Sequence, residues 1–233
     1  IGTDGQQALA SSRVGLVGLG ALGSFSAELL ARAGVGQLLL IDRDIVEWSN
    51  LQRQSLYCEA DADSGLPKVV AAATRLGAIN SEIELEVKAI DLCAANINSA
   101  LSGCDLVLDG SDNFAVRYLL NDWAVSTATP FVYAGAVSTY GMSGAIMPTQ
   151  ACLRCTWPEP PDASDAPSCR SAGVLGPIIA SISSYASAEA IKILVGAKDA
   201  LNPGYFMQDL WRNEARNLRA SKDPNCPCCV QGQ

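Results

Sequence analysis

Apolar positions follow two alternating rhythms over the first 134 residues. Arg13–Gly18 (RVGLVG) is a short apolar run ending in glycine, and Ala21–Ala33 then sets Leu22, Phe25, Leu29 and Leu30 at helical spacing. That order predicts a strand, a glycine turn and a helix. Gln37–Ile41 (QLLLI) continues as an apolar run with no polar alternation, as expected of a parallel strand covered on both faces. Beyond it the pattern predicts a helix near Pro67–Leu76, an alternating strand at Ile83–Ala89, a strand at Asp105–Asp109, a helix near Phe114–Ser126 and a strand at Phe131–Ala134. The alternation of strand and helix predicts an α/β fold, a Rossmann-like doubly wound sheet that is mostly parallel.

The rhythm changes after Ala134. Gly135–Met147 is rich in Gly, Ser and β-formers, and Pro158–Pro167 holds too many prolines for a helix or a central strand, so it is predicted as a loop. Pro177–Leu194 reads as a long helix with proline in its first turn, and Tyr205–Leu210 as a further strand. One domain is expected over 1–233, with a nucleotide-binding half (1–134) and a second half (135–233) that adds an antiparallel extension.

Composition narrows the chemistry. The 233 residues are 49% hydrophobic and 17% charged, with a net charge of −8 and no basic run, which argues against a nucleic-acid partner. No apolar stretch reaches the roughly 18 residues of a membrane span. Nine cysteines, an odd number in a chain of this size, point to metal or thiol chemistry in a reducing compartment, so a cytoplasmic location is expected. Histidine is absent, which removes Ser/His/Asp and Cys/His catalysis. The chain opens at Ile1, not Met, which leaves room for residues upstream.

Gly18, Gly20 and Gly23 form G-x-G-x-x-G between the first strand and its helix, and Asp42 follows nineteen residues after Gly23 at the end of the second strand. Glycines let backbone N–H groups and a helix N-terminus approach phosphate, while an acidic side chain accepts from a ribose hydroxyl. An NAD-linked oxidoreductase could use the same glycines. It leaves unexplained the run from Asp42 to Gln54 (DRDIVEWSNLQRQ), Gly65–Lys68 (GLPK) and Gly110–Asn113 (GSDN).

Those three segments, in that order, resemble the ThiF/MoeB/HesA family, bacterial relatives of ubiquitin-activating enzymes. The resemblance covers nearly the whole chain. It implies ATP-dependent adenylation of the C-terminal Gly-Gly carboxylate of a ubiquitin-like sulfur-carrier protein, with Mg²⁺ and release of pyrophosphate. By motif position, Arg53 and Lys68 are the cations that offset transition-state charge, Asp112 is the Mg²⁺ carboxylate and Asp42 holds the ribose. Asp44, Asn50, Gln54 and Asn113 complete the expected ATP site. The family also implies a homodimer in which an upstream arginine reaches the partner's ATP, and it leaves room for a sulfurtransferase in the complex. The insertion Asp61-Ala62-Asp63-Ser64-Gly65 lengthens the segment from Arg53 to Lys68, which is expected to be mobile without ATP.

Cys152/Cys155 and Cys226/Cys229 form two C-x-x-C pairs with 70 residues between them, a donor set suited to tetrahedral zinc that ties the C-terminus back to the middle of the chain. Cys228 leaves a Cys226/Cys228 pairing open. A redox role is set aside because neither pair is predicted to open a helix after a strand. The family treats this zinc as structural, and it implies a conjugating cysteine at Cys169 in Ser168-Cys169-Arg170. Cys58, Cys93 and Cys104 receive no role. Trp157 and the Ser168–Val174 segment resemble the thiamin branch, ThiF, more than the molybdopterin branch, MoeB, which remains the alternative. A non-catalytic scaffold is the third reading.

Overall fold

A computed structural model describes residues 1–161 and 172–232. The elements run α1 (Gly2–Ala10), β1 (Arg13–Val17), α2 (Ala21–Ala33), β2 (Gln37–Ile41), a 3₁₀ turn (Trp48–Asn50), α3 (Glu59–Asp63), α4 (Lys68–Ile79), β3 (Glu84–Lys88), α5 (Ile97–Ala100), β4 (Leu106–Asp109) and α6 (Phe114–Thr127). There follow β5 (Phe131–Val137), β6 (Tyr140–Ile146), α7 (Leu153–Thr156), α8 (Gly176–Leu194), a 3₁₀ turn (Lys198–Ala200), β7 (Gly204–Asp209) and β8 (Glu214–Arg219). The strands form one sheet in the order β3-β2-β1-β4-β5-β6-β7-β8. The first five are parallel, and β6, β7 and β8 add antiparallel strands at one side.

The period of two along each central strand sorts side chains between two cores. Val14 and Leu16 of β1, Leu38 and Leu40 of β2, Leu106 and Leu108 of β4, and Val132 and Ala134 of β5 face α2, α4 and α8. Val17, Leu39, Ile41, Val107, Phe131 and Tyr133 face α5, α6 and the cysteine segment. Each fully buried Leu or Val is worth about 1.5–3 kcal/mol, so a sheet covered on both faces gains twice from the same backbone. This is why the central runs show no polar alternation.

The elements α1, α3, α5, α7 and β8 escape the sequence pattern. Helix α1 buries only Gly5 and Leu9, too little for a visible stripe. α5 is a single turn. Strand β8 is exposed along its whole length, an edge strand whose composition (EARNLR) carries no alternation. Loop 158–167 lies only partly within the described residues, and Cys169 lies outside them.

Consecutive strands step outward from β1 to β3, and the chain then crosses to β4 on the other side of β1. The crevice at the carboxyl ends of β1 and β4 is therefore the switch point at which such sheets bind ligands. The turns that leave these two strands touch. Gly18 takes a positive φ of 86°, and a Cβ built on it would come within 2.7 Å of Gly110. A Cβ on Gly23 would sit 1.8 Å from the Gly18 carbonyl oxygen, and one on Gly110 2.2 Å from the same atom. Gly20, by contrast, has nothing closer than 3.9 Å. Gly23→Ala is thus expected to destabilise the fold by about 1–3 kcal/mol or more in urea unfolding, because the obstructing atom is backbone. Gly20→Ala should stay within about 1 kcal/mol of the parent. Equal stability of the two variants would contradict the proposed close crossing.

Candidate functional site

A cavity of about 550 Å³ opens at the switch point, within the usual range of about 300–1,000 Å³ for small-molecule sites. It collects residues far apart in sequence: Gly18 and Gly20 from the β1 turn, Asp42 and Asp44 from the end of β2, Asn50, Arg53 and Gln54 from the segment after the 3₁₀ turn, Lys68 from the start of α4, and Asp112 from the β4 turn. Gly23 and Asn113 do not line it. Gly23 serves the backbone crossing, and the Asn113 carboxamide oxygen caps α6 by accepting from the Ala115 N–H at 2.8 Å.

Asp42 is fixed from two sides, accepting from the Leu19 N–H at 2.6 Å and the Asp44 N–H at 2.8 Å. Burial pushes its carboxyl up, while the Lys68 charge and these N–H donors act against the shift. Lys68 is buried, with its Nζ 3.1 Å from an Asp44 carboxylate oxygen and its backbone N–H on the Asp44 carbonyl at 2.9 Å. Arg53 Nη1 donates to the Ser49 carbonyl at 2.7 Å, which leaves the rest of its guanidinium to the cavity wall. Asn50 is buried and closes the 3₁₀ turn by accepting from the Glu47 N–H at 3.2 Å. Gln54 is buried beside it.

The segment from Arg53 to Lys68, expected as a long loop, contains α3 and is pinned at several points. Val46 N–H donates to Leu66, Trp48 Nε1 to Asp63, Ser55 N–H to Ser24 Oγ and Tyr57 OH to the Leu19 carbonyl at 2.7 Å.

The far wall was not foreseen from the sequence. Asp109, the last residue of β4, is fully buried and accepts from Arg117 Nε at 3.1 Å and from Ser111 N–H and Oγ at 2.8 and 2.6 Å. Burial pushes its carboxyl up, with the Arg117 charge and the Ser111 hydrogen bonds opposing. Arg117 also donates to the Ser111 carbonyl at 2.8 Å and lies 5.1 Å from the Phe114 ring and 5.3 Å from the Tyr133 ring. The pair holds the turn that presents Asp112. An aspartate ending an apolar strand, followed eight residues later by an arginine inside a helix, is the signal that could have revealed it.

At the other side of the molecule, Cys152, Cys155, Cys226 and Cys229 bring their sulfurs within 4.8 Å of one another. The contacts of 3.4, 3.6 and 4.0 Å are close to the roughly 3.8 Å edge of a tetrahedron with Zn–S bonds of about 2.3 Å. Four sulfur donors at that spacing fit a closed zinc site. Cys228 stands outside the set, and its sulfur accepts from Asn121 Nδ2 at 3.6 Å. Contrary to expectation, Cys152 does cap a helix, the single turn α7 after β6. The four-sulfur grouping, and not the lack of a helix, is what separates it from a redox pair. Asn121 Oδ1 receives the Leu153 N–H at 2.7 Å, Arg154 forks onto Asp122, and Trp157 packs on Tyr205 with ring centroids 5.0 Å apart.

The sheet order, the glycine crossing and the carboxylate at the end of β2 define an α/β domain with a nucleotide-type site at its switch point. The chain belongs to the ThiF family, whose model matches residues 1–228. It is 38% identical over 232 residues to the sulfur carrier protein ThiS adenylyltransferase of Bacillus subtilis, spanning 98% of this chain and 68% of that protein. It is 35% identical to the SAMP-activating enzyme E1 of Haloferax volcanii, spanning all of this chain and 85% of that one. The structure of E. coli MccB with ATP superposes with a TM-score of 0.84 at 22% identity, over 97% of this chain and 69% of that one, a likeness of fold. Among the described residues no helix is long and apolar enough to cross a membrane.

The protein is expected to bind about one zinc per chain by elemental analysis. Cys226→Ser should lose the metal and lower Tm by at least about 5 °C, some 2 kcal/mol for a domain of this size. Cys228→Ser should keep it. Retention by the first variant, or loss by the second, would reassign the ligands.

Proposed function

We propose that this protein is an ATP-dependent adenylyltransferase that activates the C-terminal Gly-Gly carboxylate of a ubiquitin-like sulfur carrier of the ThiS type. The observation that carries the reading is the convergence of Asp42, Arg53, Lys68 and Asp112 on one switch-point cavity in a chain of the ThiF family.

The chemistry needs what these residues offer. A carrier carboxylate oxygen attacks the α-phosphorus of ATP, and the bond from that phosphorus to the oxygen bridging to the β-phosphate breaks. Pyrophosphate leaves, and the carrier keeps AMP as an acyl-adenylate. The nucleophile is already ionised and the leaving group is stable as an anion, so no general base is required. A chain with no histidine can therefore perform the step. The obstacle is charge, because an anion must approach a polyanion. Arg53 and Lys68 lower that barrier, and the backbone N–H groups around Gly20, which caps the N-terminus of α2, receive phosphate oxygens. Asp42 accepts from the ribose. Asp112 would hold Mg²⁺, which supplies charge neutralisation at the phosphates. Asn50 and Gln54 shape the floor beneath the reacting groups.

In the same reading, residues 1–134 hold the nucleotide and residues 135–233 receive the carrier. The four cysteines hold a structural zinc, and the enzyme works in the cytoplasm as a homodimer. Cys169 then takes the carrier as a thioester, or as an acyl disulfide where a sulfurtransferase has first transferred a sulfane sulfur to it from its own persulfide. In either case the attacking sulfur bonds to the acyl carbon as the bond to AMP breaks.

ATP–pyrophosphate exchange tests this. Exchange that depends on a ThiS-type carrier, and is absent with a MoaD-type carrier, is the expected result. The reverse preference would move the enzyme to the molybdopterin branch, and a blue shift of bound-nicotinamide fluorescence in the absence of any exchange would sink the reading. Arg53→Ala and Lys68→Ala should each lower exchange by about 10²–10³-fold, the usual loss when one transition-state partner is removed. Full activity in either variant removes that residue from the mechanism. Cys169→Ser should keep exchange and lose the covalent adduct.

A further inference from the structure

Across the cavity from Asp42, the wall formed by β5 and α6 carries two polar atoms that the protein leaves unused. Arg117 spends Nε on Asp109 and Nη2 on the Ser111 carbonyl, and among the described residues Nη1 has no acceptor. The Tyr133 hydroxyl likewise has no hydrogen-bond partner among the described residues. Both side chains are more than nine-tenths buried, and both line the cavity. They converge on one place. A Cβ built on Gly135 would come 2.7 Å from Tyr133 Oη and 3.4 Å from Arg117 Nη1. Gly135 leaves that space open, and it too lines the cavity.

We infer that Tyr133 Oη and Arg117 Nη1 form a two-donor subsite over Gly135 that receives a backbone carbonyl oxygen of the carrier's C-terminal tail. Three observations select this occupant. First, two donors require an acceptor. Second, the Arg117 charge is already matched by Asp109 at 3.1 Å, so the remaining N–H groups suit a neutral acceptor better than a phosphate or a free carboxylate. Third, β5 lies three strands from β2, about 14 Å at roughly 4.8 Å per strand, which separates this wall from the ribose side at Asp42. The surroundings agree with a peptide tail. Phe114, Tyr140 and Met142 make this wall largely apolar, and Tyr140 is 41% exposed at the mouth. Burial pushes the Tyr133 hydroxyl up, so it stays protonated and able to donate at neutral pH.

Tyr133 and Arg117 are here positioning residues that touch the acyl substrate away from the reacting atoms. This subsite rests on the adenylation reading and refines its division of labour: residues 135–233 receive the body of the carrier, and its tail reaches Arg117 and Tyr133 in the first half.

The test uses Tyr133→Phe, which removes one hydroxyl and keeps the ring, and Gly135→Ala, which fills the space between the two donors. Both variants should bind ATP with KM within about twofold of the parent and show an unchanged circular dichroism spectrum. In ATP–pyrophosphate exchange the carrier KM should rise about fivefold or more in each, in line with the loss of one net hydrogen bond. A semisynthetic carrier with a thioamide at its penultimate carbonyl, a poorer acceptor, should lose several-fold in kcat/KM with the parent enzyme and little further with Tyr133→Phe. An unchanged carrier KM in both variants, a rise in ATP KM instead, or an equal thioamide penalty in parent and variant would overturn the subsite while leaving adenylation standing. No exchange by the parent with any Gly-Gly carrier would instead overturn the adenylation reading, and the subsite with it.

Discussion

The crossing of two backbone turns at Gly18, Gly23 and Gly110 is the constraint on which the rest of the structure depends. The turns leaving β1 and β4 approach so closely that no side chain fits at any of the three positions. Because they meet, the N-terminus of α2, the carboxyl end of β2 and the β4 turn bearing Asp112 face a common crevice. The hydrogen bond from Gly110 N–H to the Val17 carbonyl at 2.8 Å and that from Gly18 N–H to Ile41 at 2.8 Å extend the ladders into these turns. The site is thus an extension of the sheet, and its precision derives from rigid elements in place of mobile loops.

Polar groups buried around the crevice are arranged in matched sets. Lys68 pairs with Asp44 on one side of the cavity and Arg117 with Asp109 on the opposite wall, and the second pair holds the β4 turn. Removing Asp109 would strand the buried Arg117 charge, typically at a cost of about 3–5 kcal/mol, so that pair is structural, whereas the Asp44 carboxylate beside Lys68 is 58% exposed and screened by solvent. At the far side the four cysteine sulfurs gather within 4.8 Å of one another, a grouping that fits a metal. They bring the C-terminal segment against the α6–α7 region, with Asn121 bridging the two.

Much of this was legible in the chain. The βαβ opening, the glycine turn, Asp42 and the two C-x-x-C pairs declare themselves because each depends on local spacing or on residue types with one dominant use. The central strands were legible because burial on both faces leaves unbroken apolar runs. What escaped was determined by tertiary context. β8 pairs through its backbone and buries no face, α1 contributes only Leu9 and Gly5 to the core, and the segment around the Asp61–Gly65 insertion, expected to be mobile, carries α3 and is pinned by hydrogen bonds. Asp109, Arg117 and Tyr133 went unread for another reason. Within the sequence an aspartate, an arginine and a tyrosine in apolar surroundings look like isolated residues, and only the pairing of β4 with β5 under α6 brings them together. Gly23 and Asn113 illustrate the converse, since both fit a nucleotide motif and both serve the backbone.

The central claim concerns which phosphorus is attacked. Incubating the protein with ATP, Mg²⁺ and a Gly-Gly carrier, then resolving the nucleotide products alongside the intact mass of the carrier, addresses it directly. Attack at the α-phosphorus predicts pyrophosphate in solution and AMP joined to the carrier's C-terminus, with neither formed when the terminal glycine is removed. ADP and inorganic phosphate, with no nucleotide on the carrier, would contradict the account.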